Sequence, residues 1–216
     1  MKTYSRRTMI RDAILGTGTI FVSGCGNNDS TGARREEKGK EISRIADEPD
    51  LIDSMSRESI LAMLDQRVQM IMSQSHHCAQ TTFIALKEQF GLPDGEIVKA
   101  LTPLPGLGEK GLTCGAVTGS LLAMGLVFGR ERLDDQEKLK ASLVSAGEFV
   151  DRFRETEGST DCSEIVETEF GKKYNLLDPA DHMEFIIAGA TEKCTAVVQR
   201  AVRIAADIIL REKYGK

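Results

Sequence analysis

The sequence predicts an all-α fold, a compact bundle of about six to eight helices with a glycine-rich loop at its cysteine site. Three observations carry this. Apolar residues recur at helical spacing in successive stretches between Ile60 and Ile209. Glycine, serine and aspartate separate those stretches where helices are capped or ended. No stretch alternates with the period of two that a half-buried strand requires, so helices must pack on helices.

The elements follow in order. Ser56 is placed to cap a helix, with Glu58 and Ser59 in its first turn. Ile60, Leu61, Leu64, Val68, Ile71 and Met72 form its stripe, and the run breaks at Ser73-Gln74-Ser75. His76-His77-Cys78 opens a second helix, striped by Ala79, Phe83, Leu86 and Phe90 and stopped by Gly91. Pro93-Asp94-Gly95 is a turn, and Glu96 to Leu101 reads as a short helix. The loop with Pro103, Pro105, Gly106, Gly108 and Gly111 leads into Cys114-Gly115-Ala116-Val117-Thr118-Gly119 and an apolar run to Phe128. That reads as a buried helix with Cys114 in its first turn and Gly115 and Gly119 on one face, where another element can pack close. Asp134 or Asp135 then opens a long helix whose inner face is expected to carry Leu139, Leu143, Ala146, Val150 and Phe153, ending at Gly158. Asp161 and Glu164 have capping-box spacing before Ile165, Val166 and Phe170. Lys172 to Asp181 reads as a loop containing Pro179, followed by a short apolar segment from Phe185 to Ala188. Thr191 is the expected cap of a last helix striped by Cys194, Val197, Val198, Ala201, Val202, Ala205, Ile208 and Ile209.

Two segments precede this domain. Ser5-Arg6-Arg7-Thr8-Met9-Ile10-Arg11 follows the twin-arginine export pattern, with Arg6 and Arg7 as the arginine pair. A short, weakly apolar stretch from Ala13 to Val22 follows, and Val22-Ser23-Gly24-Cys25 resembles a bacterial lipobox, in which Cys25 would be lipidated. Residues 1–25 are therefore expected to be a signal peptide, and residues 26–55 a polar, charge-mixed tether. Residues 56–216 form the helical four-cysteine domain, and a transient helix near Ile42 to Ile45 is compatible with the tether. These features imply export to the periplasmic or extracytoplasmic face and lipid anchoring to a membrane. As a class, twin-arginine substrates cross already folded, often with a cofactor inserted, which raises the odds of a metal or cluster over simple disulfides.

Composition excludes other classes. The 216 residues carry a net charge of −5, so nothing draws the chain toward nucleic acid. No apolar run beyond the signal reaches the roughly 18 to 20 residues a bilayer span needs. Gly106-Leu107-Gly108-Glu109-Lys110-Gly111 superficially matches the dinucleotide pattern G-x-G-x-x-G, but Thr102 to Pro105 cannot supply the preceding strand, so no nucleotide site is expected. The loop is instead expected to wrap the cysteine site. Met63, Met70 and Met72 read as core fillers, and His182 as an inert loop residue.

Setting Cys25 aside leaves Cys78, Cys114, Cys162 and Cys194 for the domain. None forms a C-x-x-C pair, which removes the usual zinc-finger and thioredoxin spacings, and no C-x-x-C-H occurs, which removes covalent haem. All four are expected within about the first turn of a helix, where free N–H groups and the helix dipole stabilise a thiolate. Four such termini meeting at one point would suit a metal or cluster. Spacing alone leaves three readings open: buried apolar cysteines, paired disulfides, and a cluster or reactive thiols. His76 and His77, beside Cys78, could ligate a metal or move protons.

The order Cys78, then Cys114-Gly115-Ala116-x-x-Gly119, then Cys162, then Cys194 resembles the family of redox-active proteins named for its C_GCAxxG_C_C cysteine pattern. Cys78-Ala79-Gln80 ahead of Phe90-Gly91-Leu92, and Gly158-Ser159-Thr160-x-Cys162, support the likeness over roughly Leu61 to Leu210. Thr113 departs from it, standing where the family name has glycine. Split-Soret cytochromes are similar in carrying such cysteines, there associated with an iron–sulfur centre, together with haem; only the cysteine part can carry over. The resemblance implies an electron carrier rather than a stand-alone enzyme. Its four cysteines would bind an iron–sulfur cluster, most simply 2Fe–2S, and exchange electrons with a redox partner protein. The site loop would be Gly111, Gly115 and Gly119. The rivals are a metal-free dithiol–disulfide protein and a disulfide-stapled structural module.

Overall fold

A computed structural model describes residues 52, 54–93 and 95–216. The export signal, Cys25, the tether to Asp50 and the segment near Ile42 lie outside the described residues. Among those described, the fold is all-α: α1 Arg57–Ser75, α2 Cys78–Phe90, α3 Ile97–Ala100, α4 Gly115–Phe128, α5 Gln136–Glu157, α6 Cys162–Phe170, α7 Pro179–Ile187 and α8 Ala190–Tyr214. A ninth helical segment, Gly106–Glu109, is a tight turn, because Leu107 and Gly108 have left-handed backbone angles. No helix among the described residues is long and apolar enough to cross a membrane.

The centre is α8, which packs against α1, α2, α4 and α5. Val198, Ala201, Val202, Ala205, Ile208 and Ile209 repeat every three or four residues along it and are fully buried. They meet Ile60, Leu64 and Val68 of α1, Phe83 and Leu86 of α2, and Phe149 and Phe153 of α5 in one core. Each large side chain buried there is worth about 1.5–3 kcal/mol. α2 lies against α4, and a smaller cluster of Val166, Phe185 and Ala190 joins α6 and α7 to the start of α8. Phe170, Tyr174 and Phe185 form an aromatic triad there, with ring centroids 5.0–5.9 Å apart.

Most boundaries follow their caps. Ser56 accepts from the Ser59 amide and Asp135 from that of Lys138, and Gly91, Gly158 and Gly171 end their helices in the left-handed conformation. Five expectations are corrected. Leu143 is 62% exposed, and the inner face of α5 is Phe149 and Phe153 with the half-buried Val150. Met70 is exposed and only Met72 of the three methionines is buried. Asp161 makes no side-chain cap bond; Glu164 is held by Ser159 Oγ at 2.5 Å instead. The stretch from Pro179 is helical, with Asp178 accepting from the amides of Ala180 and Asp181. The cap of α8 is Gly189, in the left-handed conformation, so the helix begins one residue before Thr191.

Candidate functional site

Cys78 is the first residue of α2, Cys114 the N-cap of α4 and Cys162 the first residue of α6. Cys194 is the exception to the expected placement, standing a full turn inside α8. Cys114 is buried, and the other three keep part of their surface open. Cys78, Cys114 and Cys194 pack on the main core, and Cys162 and Cys194 on the aromatic cluster, so the site lies at the junction of the two. All four are free thiols.

Backbone pairing brings Cys114 and Cys162 together. The Cys114 amide donates to the Thr160 carbonyl at 2.8 Å, the Cys162 amide to Leu112 at 2.7 Å, and the Ser163 amide to Gly111 at 2.9 Å. Thr113 and Asp161 form the antiparallel bridge between these bonds. Thr113 is thus an extended residue with no need of glycine's freedom, which explains how the chain departs from the family pattern there. Glycine is required at three other places. A Cβ on Gly111, whose φ is +75°, would lie 2.8 Å from Ser163 Cβ. One on Gly115 would lie 2.3 Å from Cys78 Sγ and 2.8 Å from the Ala79 amide nitrogen. One on Gly119 would lie 2.5 Å from the Ala79 carbonyl oxygen. The hexapeptide glycines therefore seat the start of α2 against α4 and set Cys78 beside Cys114.

The four thiols are electrostatically unequal. Cys78 is hydrogen-bonded to Cys114, which raises the Cys78 pKa well above the ordinary thiol range; burial and the other three cysteines add to the rise. The same bond, with the amides of Ala116 and Val117 at the start of α4, lowers the pKa of Cys114 against the opposing effects of burial and of the Glu157 carboxylate. Burial, then Cys114 and Cys194, pushes Cys162 up to about 12. Burial, then Cys114 and Glu169, pushes Cys194 up to about 12. The helix-terminus effect expected for all four prevails at Cys114 alone; at Cys162 desolvation outweighs it, and Cys194 lies too far along α8 to feel the first turn.

A cavity of about 110 Å³ opens between these elements. Cys78, Cys162 and Cys194 line it together with His76, His182, Glu109, Phe185 and Ile186. His76 caps α1 with φ of 50° and stands 2.9 Å from Thr191 Oγ1. His77 does not line this cavity: its Nδ1 accepts the Gln80 amide while Nε2 donates to the Thr102 carbonyl, so it serves as the cap of α2. The sequence reading missed two groups on the wall. His182, read as inert, reaches it because Pro179 to Ile187 is a helix, and the Asp178-Pro179 pair is the cap signal that locates that helix. Glu109 reaches it through its left-handed φ of 61°. A third missed residue is Glu157, 7% exposed, held by two bonds from Arg200, which also reaches Glu169 at 3.5 Å. No local pattern joins positions 43 residues apart.

A sequence model of the family described as "Putative redox-active protein (C_GCAxxG_C_C)" matches residues 76–208 of the chain. No curated protein and no solved structure matches it.

Proposed function

Because the chain belongs to the C_GCAxxG_C_C family of redox-active proteins, we propose that Cys78, Cys114, Cys162 and Cys194 form one redox centre that holds an iron–sulfur cluster, most simply 2Fe–2S. The observation that carries this reading is the convergence of four thiols from α2, α4, α6 and α8, three of them on one small cavity and all four coupled electrostatically. The donor set suits a cluster better than a lone ion. A 2Fe–2S cluster would take its cysteines two to each iron and so needs no three side chains round one ion; among the described residues no three His, Cys, Asp or Glu side chains stand together in that way. When bound, such a group supplies one-electron storage. The chain's own residues do the rest. Gly115 and Gly119 admit α2, the 111–114 and 160–163 backbones hold Cys114 beside Cys162, and the aromatic cluster packs on Cys162 and Cys194. Cys162 and Cys194, neutral thiols at neutral pH, must lose their protons to bind metal, so loading requires compensating positive charge.

The twin-arginine pattern at Ser5 to Arg11 and the lipobox-like Val22 to Cys25 support an exported, lipid-anchored protein working on the extracytoplasmic face. Anaerobic purification followed by iron and sulfide analysis and a visible spectrum tests the centre. Stoichiometric iron and visible absorption lost in Cys114→Ser are expected; a folded wild-type protein without either defeats the cluster reading. One observation favours a second reading, a dithiol–disulfide couple: Cys78 Sγ packs against Gly115, the residue next to Cys114, and the two thiols shift each other's pKa in opposite directions. Oxidation there would form one S–S bond and release two protons and two electrons to an acceptor. Thiol counts on iron-free protein under reducing and oxidising conditions separate the two, because two thiols disappear only in the second.

A further inference from the structure

We propose that the mouth of the cysteine cavity is a docking surface for a basic electron-transfer protein. The proposal rests on the redox reading above and names the partner of that same site. The first observation is apolar. Ile186 lines the cavity and is 43% exposed; Met183 and Ile187 on the same helix are 61% and 78% exposed. Leu177, beside the lining residue Leu176, and Leu107, in the turn that carries Glu109, are exposed as well. Single exposed apolar side chains are ordinary, but several on the helix, loop and turn that supply the walls of a cavity lined by three cysteines mark a contact surface.

The second observation is charge. From Asp161 to Lys193 the chain has eight Asp or Glu, three Lys and no Arg, a surplus of five negative charges that equals the net charge of the whole chain. The three lysines are engaged within the segment. Lys172 pairs with Glu184 at 2.6 Å and Lys173 with Glu167 at 3.3 Å. Lys193 donates to the Glu169 carbonyl and lies 4.2 Å above the Phe170 ring. The Asp178 and Asp181 carboxylates accept backbone amides and stand outside those close ion pairs, Asp181 acting on Lys172 only at longer range. Glu109 lines the cavity together with His182, the chain neighbour of Asp181, and Lys110 is the one base in the turn that carries Glu109. An apolar centre with an acidic rim selects a partner with an apolar patch ringed by lysine or arginine, through a weak, salt-sensitive, electrostatically steered contact.

The test measures binding of the full chain to a soluble, lysine-rich c-type cytochrome, both proteins held fully reduced so that no electron moves. Asp178→Asn and Asp181→Asn keep their amide acceptors, and Glu109→Gln keeps its shape. Together they should weaken the Kd about tenfold at low ionic strength and flatten its salt dependence, and Ile187→Ser should weaken it further. A control triple, Glu131→Gln, Glu137→Gln and Glu212→Gln, removes the same charge at the far end of the bundle, about 20 Å or more along α4 and α8 from their cysteines, and should change Kd less than twofold. Equal weakening by both triples, or no salt-dependent binding by the wild type, overturns the proposal. Because no electron is exchanged, that failure is separate from a failure of the iron and thiol measurements, which do not involve the cytochrome.

Discussion

Replacing Gly115 by alanine tests whether the hexapeptide exists to bring two thiols together. The added Cβ would lie 2.3 Å from Cys78 Sγ, 2.8 Å from the Ala79 nitrogen and 3.1 Å from Ala79 Cβ. Two of these three neighbours belong to Ala79, which sits near the rigid start of α2, so no side-chain rotation relieves the clash and α2 must move away from α4. Overpacking of this kind costs about 1–3 kcal/mol. Gly125 provides the control inside the same helix, because nothing lies within 4 Å of a Cβ there. At that mid-helix site alanine should gain roughly 0.5–1 kcal/mol from helix propensity. Denaturant unfolding of both variants should therefore shift in opposite directions. The displacement also separates Cys78 from Cys114, which removes the hydrogen bond that holds the Cys78 pKa up and the Cys114 pKa down. Alkylation rates against pH, resolved by mass spectrometry, should show those two thiols converging in Gly115→Ala and unchanged in Gly125→Ala. If Gly115→Ala is as stable as the wild type and leaves both thiols as they were, the close approach of α2 and α4 does not set the site.

Three further outcomes are expected. In reduced, metal-free protein Cys162 and Cys194 keep their protons to about pH 12, while the same thiols in the unfolded chain lose theirs near pH 9. The unfolded state then binds fewer protons, so stability falls as pH rises through that window, by up to about 2.7 kcal/mol per pH unit for the pair; urea midpoints at pH 8 and 10 should show it, and the double serine variant should lose that part of the slope. Glu157→Gln removes a carboxylate that opposes ionisation of Cys114, so the Cys114 pKa should fall further. Arg200 is left with Glu169 alone, and because its side chain is 36% exposed the loss of stability should be about 1–2 kcal/mol, read by denaturation. Thr113→Gly, the family's own residue, should fold with the same thiol reactivities and lose about 0.5–1 kcal/mol, since Thr113 is extended and pairs with Asp161.

The helices were legible where local chemistry decides them. Ser56, Asp135, Gly91, Gly158 and Gly171 act as caps within a few residues of the turns they close, and the stripe of α8 is long enough to declare its period. The inner face of α5 was misread at Leu143 because that residue is apolar and correctly spaced, yet it lies in the half of the helix that carries no fully buried residue. The four cysteines and the glycines could be singled out because each carries a local mark: a helix start, a motif, a gap in side-chain size. His182, Glu109 and Glu157 carry none. Each acquires its position from a partner element far along the chain, as Glu157 does from Arg200.

The inequality of the thiols shows why position at a helix start was an incomplete guide. Cys114 and Cys162 both stand at such a start, and their backbones are zipped to each other, yet one pKa falls and the other rises. The difference lies in what each sulfur meets. Cys114 has a thiol donor in Cys78 and two amides, so its thiolate is solvated by the protein, whereas Cys162 faces burial and the neighbouring sulfurs with no donor of comparable strength. A first negative charge at Cys114 then raises the cost of ionising each of the other three, since it acts on all of them. The site therefore favours ionising Cys114 over the other three and resists a second thiolate unless a cation or a covalent bond arrives with it. Both proposed chemistries meet that condition, the cluster through its irons and the disulfide by removing the charge altogether. The number of iron atoms bound per four cysteines decides between them.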